Sequence, residues 1–203
     1  MLGLTLGALI PRLIILLIAF PVHEFAHAWS ANELGDDTPR LNGRLTLNPL
    51  AHLDVVGSIM LLLAGFGWAK PVPVNPYALT RRTSAGVMLV SAAGPFSNLI
   101  LAILAAIPLR MGATPPQLSQ FLMQFIFINL VLLFFNMIPL FPLDGEKVLA
   151  YLLPPAGQQA MARIRPYGPM ILLAMLVFGS LGAIDLIGTL VTGPATFVLT
   201  QLV

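Results

Sequence analysis

Two histidines and a glutamate are placed at the spacing of a metal-dependent hydrolytic site. His23, Glu24 and His27 form an H-E-x-x-H pattern inside the apolar stretch PVHEFAHAW. Because helical residues i and i+4 share a face, both imidazoles can bind one metal ion. Glu24 lies about 100° around the helix from His23, so its carboxylate can face a metal-bound water and accept a proton from it. The pattern predicts a zinc site with Glu24 as the general base.

A third protein ligand is needed, because a catalytic zinc usually has three of them and a water. The chain has no cysteine, so the candidates are Asp144, Asp54, Asp185 and His52. Asp144 is favoured because it lies within the proline-broken stretch NMIPLFPLDG, and irregular backbone at membrane depth requires surrounding protein or water. Capping of the helix that follows is the alternative role for Asp144 and does not exclude ligation. For Asp54, helix capping is the favoured role.

The composition is that of a polytopic membrane protein. Of the 203 residues, 58% are hydrophobic and 9% are charged, whereas a soluble domain has about 25% charged residues. The net charge of +2 comes from scattered basic residues, which argues against nucleic-acid binding because that needs a clustered basic face. No internal repeat is visible. We therefore expect a single domain over residues 1–203, with a catalytic core at about 13–153 and a C-terminal helix and tail at 166–203.

The apolar segments predict an all-α membrane protein with about four full transmembrane helices. These spans are expected at about 13–32, 83–108, 118–135 and 167–182. Segment 54–68 is short for a full span and suits a re-entrant or partly inserted helix. Residues 40–47 alternate around Asn42-Gly43, which predicts a β-hairpin. The proline-rich segment 70–75 is expected to be an extended edge strand beside it, and such edges could pair with an unwound substrate segment.

Basic residues in the loops predict the orientation of the spans. They concentrate between the first and second spans and between the third and fourth: Arg40, Arg44, Lys70, Arg81, Arg82, Lys147, Arg163 and Arg165. The positive-inside rule then places these loops in the cytosol and the N-terminus outside. This orientation requires that segment 54–68 enters and leaves the membrane on one side. The H-E-x-x-H motif and Asp144 would both lie near the cytosolic face of a multi-pass protein of the cell membrane.

Three motifs together resemble the site-two protease family of intramembrane zinc metalloproteases. They are HEFAH on a membrane helix, AAGPFSN on the next complete span and NMIPLFPLDG after the third, in the order typical of the family. The resemblance implies one zinc per chain, bound by His23, His27 and Asp144, with Glu24 catalytic. It also implies cleavage of transmembrane protein substrates within the lipid bilayer. The stretches GRLTLNPLAHLD and GFGWAKPVPVNP are similar to small members of the family, and we expect a minimal core without a PDZ or CBS domain.

Three further polar residues are candidates for substrate binding or for supporting the site. The resemblance implies that Asn136, in the N-x-x-P part of the aspartate motif, contacts the substrate backbone or supports the site. His52 has two interpretations: a hydrogen bond to the oxyanion or substrate, or a lock between its loop and the re-entrant helix. For Asn98 and Gly94 the favoured interpretation is close packing between helices, with an interhelical hydrogen bond from the asparagine.

Two other functions fit parts of the pattern. An ion or metal transporter would use Asp144, Asp185 and the broken helices as an ion path, but no repeat relates the two halves of the chain. A non-proteolytic relative would bind membrane helices without cutting them, although H-E-x-x-H and Asp144-Gly145 are intact. The favoured hypothesis is an intramembrane zinc endopeptidase. The sequence indicates neither its substrate nor its oligomeric state.

Overall fold

Four helices are long and apolar enough to cross a membrane. The computed structural model describes residues 6–64, 66–112, 114–180 and 185–203. The four candidate spans are Leu9–Glu33, Gly86–Arg110, Pro116–Asn136 and Pro155–Gly179. The described part of the chain is otherwise made of short helices and turns and has no strand. The prediction of an all-α polytopic membrane protein is confirmed.

The first span contains a π-helical turn directly before the histidine motif. It consists of the helix Leu6–Ile14, the π-helical segment Ile15–Ala19 and the helix Phe20–Glu33. Pro21 lacks an amide hydrogen and its ring crowds the preceding turn, and a π turn is a common way to accommodate such a break. The helix then closes at Gly35, which has a positive φ of 88°, the usual conformation of a glycine beyond a helix C-terminus.

Residues 40–47 do not form the predicted β-hairpin. Thr38–Leu41 is a single helical turn, and Asn42-Gly43 closes it with a positive φ of 66° at Gly43. The chain then turns inward because the buried guanidinium of Arg44 donates hydrogen bonds to three backbone carbonyls, those of Ala51, Lys70 and Pro71. Alternating polar and apolar residues around Asn-Gly fit both a hairpin and a helix that ends at glycine. The Arg44 contacts favour the second structure, because they hold the chain away from a hairpin path.

Segment 54–68 contains one short apolar helix, and the residues that flank the segment lie close together. The helix Val55–Ala64 has 10 residues, and the Asp54 carboxylate caps it by accepting the Gly57 amide hydrogen at 2.8 Å. Leu53 and Ala69 form an antiparallel bridge, the one bridge found among the described residues. The following segment has no regular secondary structure up to the helix Pro76–Arg82, so the predicted edge strand is not formed in this described part of the chain.

The second span packs between the first and third spans. Ala102 and Ala106 on the second span contact Ile126 and Leu130 of the third in a buried cluster. Small residues allow helices in a membrane to approach closely. The C-terminal helix Gly193–Leu202, preceded by the π-helical segment Gly188–Thr192, joins this cluster through the buried Ala195. The end of the tail is therefore a packed part of the bundle.

The fourth span supports the turn that precedes Asp144. It consists of the helices Pro155–Ile164 and Gly168–Ser180, joined by a 3-10 turn at Arg165–Tyr167. Leu172 of this span packs against Ile138 and Leu143 in a buried cluster. These contacts fix the irregular connection between the third span and the helix Asp144–Leu152.

Candidate metal site

Three side chains from distant parts of the sequence meet at one point. The Nε2 atoms of His23 and His27 lie 3.1 Å apart. The Oδ2 atom of Asp144 lies 3.1 Å from the first and 3.2 Å from the second. Both histidines are buried, and the three residues form a group that could hold a metal ion. The structure therefore gathers the two histidines of the motif and the favoured third ligand.

The spacing of these atoms fits zinc. Tetrahedral zinc with bonds of about 2.0–2.1 Å requires neighbouring ligand atoms about 3.3–3.4 Å apart. The three observed separations of 3.1–3.2 Å are close to that value and nearly equal. Two imidazole nitrogens and one carboxylate oxygen are also a donor set that zinc accepts, with a fourth position left for water.

Both histidines are oriented by the second span through their Nδ1 atoms. His27 Nδ1 donates to the backbone carbonyl of Val90 at 2.7 Å, and His23 Nδ1 contacts the side-chain oxygen of Asn98 at 2.7 Å. A carbonyl oxygen can only accept, so the hydrogen of each neutral ring lies on Nδ1 and the lone pair lies on Nε2. Partners of this kind fix the ring orientation of metal-binding histidines.

Gly94 leaves room for the two imidazoles. A β-carbon at this position would lie 2.4 Å from His27 Nε2 and 2.5 Å from His23 Nε2. No side chain fits at such distances, so the second span approaches the histidines this closely only with glycine at position 94. The sequence predicted helix packing for Gly94, and the structure shows that the surface it packs against is the metal site itself.

Asp144 is presented by a chain reversal at the start of its helix. A β-carbon at Gly145 would lie 2.3 Å from the Met137 carbonyl oxygen, so the chain can double back here only with glycine. The cap position of this helix is Leu143, and no side chain caps it. Without a metal ion, burial acts to raise the pKa of Asp144, but the charge of protonated His27 and the hydrogen bonds from both imidazoles outweigh it and hold that pKa well below its usual range.

Comparison with known proteins places this site in a family. Residues 110–179, which include Asp144, match peptidase family M50. Over 180 residues the chain is 44% identical to "Putative zinc metalloprotease YwhC" of Bacillus subtilis, covering 84% of this chain and 82% of that protein. The chain belongs to peptidase family M50. It is a zinc metalloendopeptidase related to the site-two proteases, and the predicted family, enzyme class and zinc cofactor are confirmed.

Longer relatives of this M50 peptidase are also found. Proteins named "Putative zinc metalloprotease Rip2" from Mycolicibacterium smegmatis and Mycobacterium tuberculosis strain H37Rv are 31% and 33% identical to the chain. Each alignment covers 79% of this chain and 64% of the relative, so the chain spans a little less than two thirds of the Rip2 proteins. No solved structure gives a significant match.

Glu24 of the peptidase contacts segment 70–75, which follows Ala69. Its Oε2 atom accepts the backbone amide hydrogen of Val72 at 3.2 Å. One oxygen is thus anchored to the backbone, while the second has no hydrogen bond within the described part of the chain.

The remaining predicted site residues of the peptidase have different surroundings. Asn98 contacts His23, whereas the Asn136 amide donates to the Leu132 carbonyl of its own helix at 3.0 Å. His52 is fully buried, and its Nε2 donates to the Thr46 carbonyl at 2.7 Å. This contact lies within the loop that precedes the helix Val55–Ala64, so the role of His52 stays a prediction.

Of the alternative third ligands, Asp185 and Asp54 cap backbone amides. Within the part of the chain that the structure describes, Asp144 is the candidate placed beside both histidines of the motif.

Proposed function

We propose that this M50 peptidase cleaves peptide bonds in or near the transmembrane segments of membrane-protein substrates. The observation that carries the proposal is the position of the metal group on an apolar span. His23 lies ten residues before the end of the span Leu9–Glu33, a distance of about 15 Å along a helix. That depth is inside a hydrocarbon layer of about 30 Å. Substrates at this depth are membrane segments.

His23, His27 and Asp144 would hold the zinc, which when bound activates water and polarises the scissile carbonyl. Glu24 accepts the proton of the attacking water as general base and then delivers it to the nitrogen of the leaving amine. The Val72 amide holds the Glu24 carboxylate by one oxygen, so the same group can act in both proton transfers without losing its position. The protons balance, since Glu24 ends the cycle in its starting ionisation state.

Segment 70–75 is the proposed guide for the substrate backbone. A helix hides its carbonyls in hydrogen bonds, so the scissile segment must unwind before it can react. The guide segment lies outside the helices and touches the general base through Val72. Arg44 holds the Lys70 and Pro71 carbonyls, so a substrate backbone would pair with the groups that follow them, as peptides do at a strand edge.

We also propose that segment 54–68 is re-entrant. Its helix has 10 residues and is about 15 Å long, half the thickness of the hydrocarbon layer. The bridge between Leu53 and Ala69 and the hydrogen bond from the Lys70 amide to the His52 carbonyl join the two ends of the segment. A segment that starts and ends at one level enters and leaves on the same side.

This arrangement supports the orientation predicted from the basic loops. The loops 34–85 and 137–154 then lie on the cytosolic side of the cell membrane. Of the two histidines, His27 is nearer to that side, because it is closer to the Glu33 end of the first span. The chain works as a single domain in this proposal. A transporter is no longer favoured, because the chain belongs to a family of peptidases.

The proposal is tested with the full chain purified into proteoliposomes together with a model transmembrane helix. We expect the wild type to cut that helix within its membrane segment, and Glu24→Gln to keep one zinc per chain while cleavage falls at least about 100-fold. Cleavage by Glu24→Gln near the wild-type rate would refute the general-base role. Cleavage confined to soluble peptides would refute intramembrane action, and a zinc-loaded wild type without cleavage would favour the non-proteolytic alternative.

A further inference from the structure

A chain of side-chain amides runs from His23 across the second span to the third. The Asn98 side-chain oxygen contacts His23 Nδ1 at 2.7 Å. The Asn98 amide nitrogen donates to the Asn129 side-chain oxygen at 2.9 Å, and the Asn129 amide nitrogen donates to the Phe125 carbonyl at 2.9 Å. Asn98 and Asn129 are both 0% exposed, so water does not compete for these bonds.

The Phe125 carbonyl sets the direction of every bond in this chain. A backbone carbonyl only accepts, so the Asn129 atom that faces it must be the amide nitrogen. The Asn129 oxygen then faces Asn98 and requires a donor, which can only be the Asn98 amide nitrogen. The Asn98 oxygen is therefore turned toward His23, whose Nδ1 must carry the hydrogen. The Nε2 lone pair is left pointing into the metal group.

Asn98 alone would not fix the hydrogen of His23 on Nδ1. An isolated amide can turn over and present its nitrogen to His23, because both ends of the group form hydrogen bonds. His23 Nδ1 would then accept, its hydrogen would move to Nε2, and the ring could not bind zinc. The buried Asn129 oxygen prevents this inversion, since the inverted Asn98 would place two oxygens against each other in a site without water.

We propose that Asn129 is a positioning residue of the zinc site, which acts through Asn98 to hold His23 in the tautomer that binds metal. The inference rests on the proposed ligation of zinc by His23. Asn129 lies on a different span from either zinc-binding segment. Its role is distinct from that of Asn136 on the same helix, whose amide makes the same kind of bond to its own helix at Leu132 but has no hydrogen bond to Asn98.

The test is the zinc dissociation constant of the full chain in detergent micelles, measured by competition with a chelator. We expect Asn129→Leu to weaken zinc binding about 10- to 100-fold, the usual effect of losing a partner of a metal-binding histidine. Asn129→Asp should rescue it to within a few-fold of wild type, because a protonated aspartate can donate to Phe125 and still accept from Asn98. Gln124→Leu is the matched control, because it also removes a side-chain amide from the third span, but at a position with no hydrogen bond to Asn98 or Asn129. It should leave the zinc dissociation constant unchanged.

A double-mutant cycle separates this role from simple packing. If Asn129 acts through Asn98, the variant Asn98→Ala/Asn129→Leu binds zinc as weakly as Asn98→Ala alone. Losses that add in the double variant would overturn the inference, as would unchanged zinc binding in Asn129→Leu. Nitrogen NMR of the His23 ring gives a second readout: the hydrogen stays on Nδ1 in the wild type and becomes mixed between the two nitrogens in Asn129→Leu. A wild type that binds no zinc would refute the proposed function instead.

Discussion

Gly94→Ala is expected to disable the metal site by adding one methyl group. The new β-carbon would lie 2.4 Å from His27 Nε2 and 2.5 Å from His23 Nε2. Ordinary contact between such atoms is about 3.5 Å, so the overlap with each ring is about 1 Å. Ligand distances at a metal site tolerate changes of only about 0.2 Å. Either the rings or the whole second span must move by several times that tolerance.

The expected loss of zinc affinity is at least about 100-fold, or about 2.7 kcal/mol. Helix propensity acts in the opposite direction, because alanine favours a helix over glycine by about 1 kcal/mol. Loss of helix stability therefore could not explain weaker zinc binding in Gly94→Ala. The cause would be the contact between the new methyl group and the histidines.

The assay measures the zinc dissociation constant by chelator competition, alongside cleavage of a transmembrane substrate in proteoliposomes. Gly193→Ala is the matched control, since it also lies in a helix and its nearest contact would be 3.3 Å, to the Gly188 carbonyl. We expect that control to bind zinc as the wild type does. Zinc affinity within about 3-fold of wild type in Gly94→Ala would refute the packing of the second span against the site.

Three further perturbations have defined outcomes. Arg44→Lys replaces a planar donor that holds three carbonyls, so we expect a loss of about 1.5–3 kcal/mol in unfolding free energy with unchanged zinc content; an unchanged thermal melting curve would contradict this. His52→Ala leaves the Thr46 carbonyl without its donor and should cost about 1–3 kcal/mol in thermal stability while zinc stays bound, whereas loss of zinc would make His52 a ligand. Removing zinc with a chelator should abolish cleavage and added zinc should restore it; cleavage that persists in the zinc-free protein would contradict a metal-dependent mechanism.

The three metal ligands could largely be predicted from the sequence. Helical geometry places His23 and His27 on one face, and scarcity of polar groups in apolar segments makes Asp144 stand out. The four apolar spans follow from length and hydropathy. These inferences depend on local spacing or on composition, which a single sequence contains.

Features that depend on packing between distant segments are harder to read. Alternation around Asn42-Gly43 predicted a hairpin, but the turn ends a short helix because Arg44 binds carbonyls far along the chain. The closeness of Gly94 to the histidines is a consequence of how two spans cross. Asn129 had no motif to mark it, although an asparagine in the middle of an apolar span is itself a signal of an interhelical hydrogen bond.

The most direct test of the zinc site is the zinc-to-protein ratio of the purified wild type beside Asp144→Ala and His52→Ala. Our account predicts one zinc per chain in the wild type and in His52→Ala, and a weakened or empty site in Asp144→Ala. This result would show that the first span and the segment after the third span bind the same metal ion. Zinc retained by Asp144→Ala and lost from His52→Ala would contradict the account and make His52 the third ligand.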